Sequence, residues 1–289
     1  MADQKRRIRA RFNRAAPDYE AAAVLHREVE ARVLERLDYV RLQPAVVLDI
    51  GAGPGTGSRL LMQRYPKAKV IALDLAERML QIARGKAPRW PNPLRKLHCV
   101  CGDAESLPFA SGSVDLIYSN LSLQWCADLS ATFREFRRVL APGGLLMFTT
   151  FGPDTLRELR AAWAQVDGFA HVNEFVDMHD IGDALVHAQM AEPVMDMEVF
   201  TLTYGKADEV MRDLKVIGAQ TVTGAKQGGL TGRARLNAVA EAYESFRADG
   251  VLPATFEIVY GHAWAPPEGT ALKREDGSVA VPLTGLRRS

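Results

Sequence analysis

Glycine alternates with other residues over one short segment, which reads Asp49-Ile-Gly51-Ala-Gly53-Pro-Gly55-Thr-Gly57. Glycine allows a sharp backbone turn and lets a ligand approach without meeting a Cβ atom. A β-branched apolar run precedes the segment and a helical pattern follows it, so the turn connects a strand to a helix. Free N–H groups at such a helix start form a ready binding site for a polar ligand. The segment therefore predicts a small-molecule site.

The spacing of the glycines argues against a dinucleotide. Dinucleotide-binding turns need G-x-G-x-x-G or G-x-G-x-x-A. Here the sixth position is Thr56 when counted from Gly51 and Ser58 when counted from Gly53. The alternating glycines favour a compact amino-acid moiety over a diphosphate.

Carboxylates near the ends of predicted strands extend this site. Asp49 is placed to lie under the glycine turn, to orient it and to reach the ammonium group of a ligand through water. Asp74 ends the second strand, 19 residues beyond Gly55. A carboxylate at that strand end accepts the hydroxyls of a ribose. Asp103 ends the third strand, where it can accept the exocyclic amine of an adenine while Ala104 offers an N–H. For Asp49 and Asp74, a helix-capping or loop role is the alternative.

These residues need a sheet whose strand ends meet in one crevice, and the chain supplies the pattern for it. Apolar strands alternate with amphipathic helices, which predicts a doubly wound α/β sheet. Asn120 follows the fourth strand, beside the point where the strand order is expected to reverse and where such sheets bind ligands. The predicted strands are Ala45–Ile50, Lys69–Asp74, Leu97–Val100, Val114–Ser119 and Leu145–Thr150, and the predicted helices are Val24–Leu37, Ser58–Tyr65, Ala76–Ala87 and Asp128–Leu140.

The second half of the chain is less regular. Two further strands are predicted at Met197–Tyr204 and Ala254–Trp264, and no regular structure is predicted from Ala265 onward, where proline, glycine and charge are frequent. The predicted helices here are 154–166, 207–217 and 235–248.

Composition excludes several classes of protein. With 36 basic and 35 acidic residues the net charge is +1, so no global field draws the chain to nucleic acid or an anionic membrane. The three cysteines fit neither a disulfide framework nor a four-ligand metal site. No signal peptide and no run of about 18 apolar residues is visible. We expect a cytoplasmic protein without a metal, a membrane or a nucleic acid as partner.

Segments between Phe12 and Thr150 resemble class I S-adenosylmethionine-dependent methyltransferases. A narrower resemblance extends over nearly the full chain and is to the malonyl-carrier-protein O-methyltransferases of biotin synthesis. The motifs that carry it are Phe12-Asn-Arg-Ala15-Ala16-Pro-Asp-Tyr19, Asp103-Ala-Glu105-Ser106-Leu107-Pro108, Ser119-Asn120-Leu121-Ser-Leu-Gln124-Trp125-Cys126 and Asp213-Leu214-Lys215-Val-Ile217-Gly218-Ala219.

The resemblance implies a mostly parallel seven-stranded sheet that ends in an antiparallel hairpin. It also implies an N-terminal helical arm over the cofactor (1–43), a cofactor-binding core (44–152) and an inserted helical lid (153–195). The end of the core sheet (196–264) and a flexible tail (265–289) follow. The turn, the strand ends and the resemblance together give the expected cofactor-binding residues: Asp49, Gly51, Gly53, Asp74, Leu75, Gly102, Asp103, Ala104, Asn120 and Gln124.

The implied reaction is methylation of the free carboxylate of a malonyl group on acyl carrier protein, with S-adenosyl-L-homocysteine as the second product. A carboxyl group with a pKa of about 4 is already ionised at neutral pH, so its attack on a sulfonium methyl needs no general base. Holding oxygen and methyl about 3 Å apart in a dry site then supplies most of the acceleration. We expect a monomer.

Such a site needs a positive counter-charge for the carboxylate. Lys215 is the first candidate and His179 the second, and Tyr19 is expected to close over the donor. The alternatives are a surface lysine for Lys215 and an aromatic contact that holds the N-terminal helix for Tyr19. Gln124 and Trp125 are candidates to border the acceptor, and a place in the apolar core is the alternative for Trp125. A basic landing area for the carrier is expected from Arg157, Arg160, Arg233 and Arg235.

Two rival functions stay open at this stage. One is a class I methyltransferase for another small molecule, such as a quinone precursor, which needs a base near the methyl group. The other is a respiratory-complex assembly factor that keeps the methyltransferase fold and acts on a protein partner. Intact glycine motifs do not separate these from the preferred function.

Overall fold

The computed structural model describes residues 2–87, 96–216 and 232–269, and the backbone of 272–273 and 279–280. A seven-stranded sheet lies at its centre, in the order β3-β2-β1-β4-β5-β7-β6. The neighbours from β3 to β5 are parallel, whereas β7 is antiparallel to both β5 and β6. The strands are β1 (Val46–Ile50), β2 (Lys69–Asp74), β3 (His98–Cys101), β4 (Val114–Ser119), β5 (Leu140–Phe151), β6 (Ala191–Tyr204) and β7 (Leu252–Trp264).

Helices cover both faces of the sheet because its central strands are apolar on both faces. Successive side chains of a strand point to opposite faces, and accordingly Val47 and Leu48 are both fully buried but belong to different apolar clusters. The helices are α1 (Ala2–Ala15), α2 (Tyr19–Ala22), α3 (Val24–Arg36), α4 (Thr56–Arg64), α5 (Glu77–Lys86), α6 (Leu129–Val139), α7 (Arg157–Ala164), α8 (Met178–His187), α9 (Ala207–Val216) and α10 (Arg233–Tyr243).

The register of the strands brings the predicted site residues together. Chain order reverses at β1, which lies between β2 and β4. Ile50 pairs with Leu73, and Asp74 pairs with Cys101, so the carboxyl ends of β1, β2 and β3 lie side by side. Ligands of open α/β sheets bind at this reversal point.

The N-terminal arm is anchored to the sheet by its third helix. Val29 and Val33 of α3 are fully buried, and Arg32 and Arg36 form ion pairs with Glu198 and Asp196 of β6. Helix α1 packs against α5. The arm is therefore part of the folded domain.

The predicted doubly wound, mostly parallel seven-stranded sheet is confirmed, with differences at the edges of elements. Strand β6 begins at Ala191 instead of Met197 because it pairs along the full length of β7. Helix α8, in the predicted lid segment, packs against α6 and β6 and so covers the sheet. In the predicted tail, Leu272–Lys273 (β8) pairs with Val279–Ala280 (β9). The division into five units stays a prediction.

Candidate functional site

The glycine turn has the conformation that its sequence predicts. Gly51 has φ +70° and Gly55 has φ +81°, in the left-handed region that side chains disfavour. A Cβ on Gly51 would lie 2.3 Å from Cβ of Ser122. The N–H of Gly51 donates to the carbonyl of Leu73 at 2.8 Å, which fixes the turn against the end of β2. Glycine at position 51 thus satisfies both the backbone conformation and the close packing.

Two adjoining cavities open on either side of this turn, and we call them the wide cavity and the narrow cavity. The wide cavity has a volume of about 740 Å³ and the narrow one about 500 Å³, including space open to solvent. Tyr19, Gly51, Gly53 and Asn120 line both. One elongated ligand can therefore occupy both cavities, passing beside Tyr19.

The wide cavity contains most of the predicted cofactor-binding residues. Its lining includes Gly51, Gly53, Asp74, Leu75, Gly102, Asp103, Ala104 and Asn120. Apolar and aromatic side chains of the N-terminal arm close it from above, with Phe12 packed edge-on against Trp125 at 5.3 Å between ring centroids. A largely apolar cleft with carboxylates in its lining suits a nucleoside.

Asp74 is buried at the end of β2 and also holds the glycine turn. Its Oδ2 accepts the N–H of Gly53 at 2.9 Å and its Oδ1 accepts the N–H of Ala76 at 2.7 Å. A carboxylate has about four lone-pair sites, so two backbone donors leave room for ligand hydroxyls. Burial raises the pKa of Asp74 to about 6, against the lowering effect of these two N–H groups. The Asp74 side chain can therefore accept the backbone N–H groups and still accept the hydroxyls of a ribose.

Asp103 lines the wide cavity but already has a charged partner. Its Oδ2 is paired with Nζ of Lys5 from α1, which also pairs with Glu105, and its Oδ1 accepts the N–H of Glu105 at 3.0 Å. Lys5 itself lines the cavity. An adenine amine that binds Asp103 must therefore share this carboxylate with Lys5. Lys5 was not among the site residues predicted from the sequence.

Asp49 lies under the turn, as the sequence predicts. Its Oδ2 accepts the hydroxyl of Ser58 at 2.5 Å, which ties β1 to α4. Burial, together with the nearby carboxylate of Glu30, raises the pKa of Asp49 to about 8. Asp49 and Glu30 both line the narrow cavity.

Asn120 connects the arm to the sheet at the point where the cavities meet. Its Nδ2 donates to Oε2 of Glu30 at 3.0 Å and to the carbonyl of His26 at 3.1 Å, while Oδ1 accepts from Thr149 at 2.7 Å. The next residue, Leu121, has φ +47°, a conformation that costs about 1–3 kcal/mol outside glycine. A strained backbone position therefore lies at the edge of the site.

Two predicted site residues, Gln124 and His179, are not part of either cavity lining. Gln124 donates to the carbonyl of Leu121 at 2.7 Å and accepts from Thr150, so it orders the loop after β4. His179 is 85% exposed and bound to Asp177 at 2.8 Å, because Asp177 caps the start of α8; this position does not favour a counter-charge role. Lys215 falls in α9, but its side chain lies outside the described part of the chain.

Sequence reasoning missed three residues of the arm: Lys5, His26 and Glu30. His26 and Glu30 are one helical turn apart and flank the apolar stripe of α3 that contains Val29 and Val33. A polar pair beside a buried stripe was the available signal. Its meaning depended on the tertiary packing of α3 over the glycine turn, which no local pattern encodes.

The site is built to bind and orient a ligand. In the described residues, no group of three or more metal-ligating side chains is found, and none of the described helices combines the length and apolarity needed to cross a membrane. The side chains at the cavities offer carboxylates, amide groups, aromatic surface and backbone N–H groups. This set suits a nucleoside carrying a charged amino-acid end.

Comparison with known proteins gives consistent matches. Residues 48–148 match the family model described as a methyltransferase domain. The chain is 54% identical over 265 residues to the malonyl-[acyl-carrier protein] O-methyltransferase of Gallionella capsiferriformans, covering 91% of each chain. It is 51% identical to that of Nitrosospira multiformis, covering 93% of this chain and 91% of the relative. The YcgJ protein of Bacillus subtilis shares the fold, with a TM-score of 0.55, 19% identity and coverage of 83% and 99%.

Proposed function

The chain belongs to the malonyl-[acyl-carrier protein] O-methyltransferase family, and from this premise we propose that it methylates the free carboxylate of a malonyl thioester on acyl carrier protein. The methyl donor is S-adenosyl-L-methionine, and the products are the malonyl methyl ester and S-adenosyl-L-homocysteine. Methylation removes the charge of the carboxylate, so that the ester serves as a primer for biotin synthesis. The observation that carries the proposal is the 54% sequence identity to a relative of this name, over 91% of the chain.

The residues at the two cavities fit this donor. Asp74 and the apolar wall of the wide cavity suit a ribose and an adenine, and the carboxylates of the narrow cavity suit an amino-acid ammonium group. Asp49, Gly51, Gly53, Asp74, Leu75, Gly102, Asp103, Ala104 and Asn120 are the residues proposed to hold it.

The proposed reaction needs little general acid or base catalysis from the protein. When bound, the donor supplies a methyl group on a positively charged sulfur. The acceptor carboxylate is ionised at neutral pH and attacks without losing a proton. The chain contributes by orienting the two groups and excluding water, since both effects lower the barrier without a catalytic base.

The acceptor side lies toward the ends of β4 and β5 in this proposal. Lys215 stays the candidate counter-charge for the malonyl carboxylate. The carrier is proposed to dock near α7 and α10, which pack together and contain Arg157, Arg160, Arg233 and Arg235. Arg157 pairs with Asp154 and Glu158, so part of this charge is already neutralised. A monomeric, cytoplasmic enzyme belongs to the same proposal.

Incubation with radiolabelled donor tests the function directly. We expect label to enter malonyl-acyl carrier protein, and more slowly malonyl-CoA. Acetyl-acyl carrier protein is the matched control because it has the same carrier and thioester but no free carboxylate, so it should stay unlabelled. Label in none of malonyl-acyl carrier protein, malonyl-CoA and free malonate would discard the substrate and leave the two rival functions.

Tyr19 gives a test of the arm as a roof over the donor. Tyr19 lines both cavities and packs edge-on against Phe12 and His26. We expect Tyr19→Ala to raise the KM for the donor about tenfold, a loss of about 1.4 kcal/mol. Tyr19→Phe keeps the ring, so its KM for the donor should stay within about threefold of the wild-type value, a change of about 0.6 kcal/mol. Steady-state kinetics with saturating acceptor measures both; equal KM values for wild type and Tyr19→Ala would remove Tyr19 from the donor site.

A further inference from the structure

Helix α3 places a carboxylate in the narrow cavity that the methyl-transfer chemistry does not use. Glu30 is only 7% exposed, and the hydroxyl of Tyr118 and Nδ2 of Asn120 donate to its two oxygens. The glycine turn is built around it, because a Cβ on Gly57 would lie 2.7 Å from Oε1 of Glu30. Neutral donors thus hold Glu30 in one position beside the turn.

Glu30 has a second carboxylate as neighbour and no positive partner among the described residues. Asp49 lines the same cavity and is close enough for the charge of Glu30 to raise its pKa. Neither carboxylate forms an ion pair in the described part of the chain, where their partners are the hydroxyls of Tyr118 and Ser58 and the amide of Asn120. Ionising both carboxylates in this buried position without a positive partner is costly, so the cavity is suited to a positively charged ligand.

An unpartnered nitrogen points to the same ligand. Nδ1 of His26 is buried without a hydrogen-bond partner among the described residues, and His26 lines the narrow cavity. Burial lowers the pKa of His26 to about 4, so the ring is neutral at pH 7 and can bond a polar group of a ligand. Arg27, also in the lining, offers a positive charge to a ligand carboxylate. The narrow cavity therefore offers an opposite charge to each of the two charged groups of an amino-acid zwitterion.

We propose that Glu30 is the counter-ion for the ammonium group at the methionyl end of the donor. The inference rests on the proposed function for the identity of the donor. It assigns a binding role to helix α3, which precedes the residues matched by the methyltransferase-domain model. Metal binding is not the alternative, because no three ligating side chains come together in the described residues.

Glu30→Gln tests the proposal because it removes the charge and keeps the size of the side chain. The amide oxygen can still accept the hydroxyl of Tyr118. Glu28→Gln is the matched control: Glu28 is on the same helix but exposed, and it pairs with Arg32 at 3.0 Å. Thermal unfolding of both variants, compared with wild type, checks that each is folded.

Three probes separate the parts of the donor in calorimetric titrations. S-adenosyl-L-methionine and S-adenosyl-L-homocysteine both carry the ammonium, whereas 5′-methylthioadenosine lacks the amino-acid end. We expect Glu30→Gln to lower the affinity for the two compounds with the ammonium group by about 10- to 100-fold and to leave the affinity for 5′-methylthioadenosine unchanged. Glu28→Gln should change none of them.

Each other result overturns the proposal. Unchanged affinity for all probes would show that Glu30 does not contact the ligand. An equal loss for 5′-methylthioadenosine would indicate a structural role, and a loss for S-adenosyl-L-methionine alone would place Glu30 at the sulfonium. Methyl transfer is not part of the measurement, so a wild type that binds no donor would instead refute the proposed function.

A measurement on the unaltered protein covers the case in which Glu30→Gln does not fold. Burial and mutual repulsion keep Asp49 largely protonated at pH 7 before binding, since its pKa is raised to about 8. An ammonium between the carboxylates favours their ionised forms, so binding should release protons. The other ionisable groups around the pair are Asp74 on β2, Tyr118 on β4, Tyr19 and Glu20 on α2, and His26 and Arg27 on α3.

Titrations in buffers of different ionisation enthalpy give the number of protons released. At pH 7, above the pKa of about 6 of Asp74, we expect clear release with S-adenosyl-L-homocysteine and only slight release with 5′-methylthioadenosine. Affinity for the former should rise between pH 6 and about pH 8, because fewer protons must then be displaced. Equal proton release with both probes would contradict an ammonium site at Glu30.

Discussion

Replacing Asp74 by alanine should weaken binding of S-adenosyl-L-methionine by well over tenfold. In the proposed complex the buried carboxylate accepts the ribose hydroxyls, and a hydrogen bond to a charged group is worth about 1.5–3 kcal/mol. Each tenfold change in affinity corresponds to about 1.4 kcal/mol. The structure adds a second loss, because the N–H groups of Gly53 and Ala76 also lose their acceptor and the glycine turn loosens.

Asp115→Ala is the control that separates these two effects. Asp115 accepts two backbone N–H groups, those of Ala45 and Val46, at 2.9 and 2.8 Å, but it lines neither cavity. Both variants should lower the free energy of unfolding, and only Asp74→Ala should lower donor affinity. Calorimetric titration and urea unfolding measure the two quantities. Unchanged affinity in Asp74→Ala would mean that the ribose binds elsewhere.

The pH dependence of donor binding gives an independent check on Asp74. Its pKa of about 6 in the free protein means that the carboxyl group is mostly ionised at pH 7 and mostly neutral at pH 5. A neutral carboxyl group is a weaker acceptor. Affinity for 5′-methylthioadenosine, which retains the ribose, should therefore fall as the pH drops below about 6.

The sequence was sufficient to predict the sheet and the strand ends that carry the site. Parallel strands covered on both faces are continuous apolar runs, and the runs at Val46–Ile50 and Lys69–Asp74 contain little else. Asp49, Asp74 and Asp103 follow from that pattern because strand ends of a doubly wound sheet share one edge. Their positions in the cavity linings agree with this reasoning.

The contribution of the N-terminal arm was harder to predict. Lys5 and Glu30 reach the site only because α1 and α3 pack over the strand ends, at sequence separations of 98 residues for Lys5 with Asp103 and 90 for Glu30 with Asn120. Helical periodicity identifies the buried face of α3, but it does not say which strand ends lie beneath that face. His179 is the opposite case. The sequence around it suggested a site residue, but its backbone N–H and its ring both bond to Asp177, which caps the start of α8.

Gly51→Ala should produce the largest loss of stability among single substitutions in the turn. A non-glycine residue at φ +70° costs about 1–3 kcal/mol. The added Cβ would also lie 2.3 Å from Cβ and 2.6 Å from Oγ of Ser122. Ser122 has little freedom to move, because its hydroxyl is bonded to Ser119 at 2.6 Å and to the carbonyl of Ile50 at 3.2 Å. Relieving such an overlap costs about another 1–3 kcal/mol.

Gly112→Ala isolates the first of these costs, the cost of the backbone conformation. Gly112 has φ +66°, nearly the same backbone conformation, but a Cβ there would meet no atom within 4 Å, and it lines neither cavity. We therefore expect Gly112→Ala to lower the free energy of unfolding by about 1–3 kcal/mol without changing donor affinity. Gly51→Ala should lower it by about 2–6 kcal/mol and abolish detectable donor binding, because relief of the overlap moves the turn on which both cavities depend. Equal unfolding free energies for the two variants in urea would show that backbone conformation alone requires glycine at position 51, and that Ser122 yields to the methyl group.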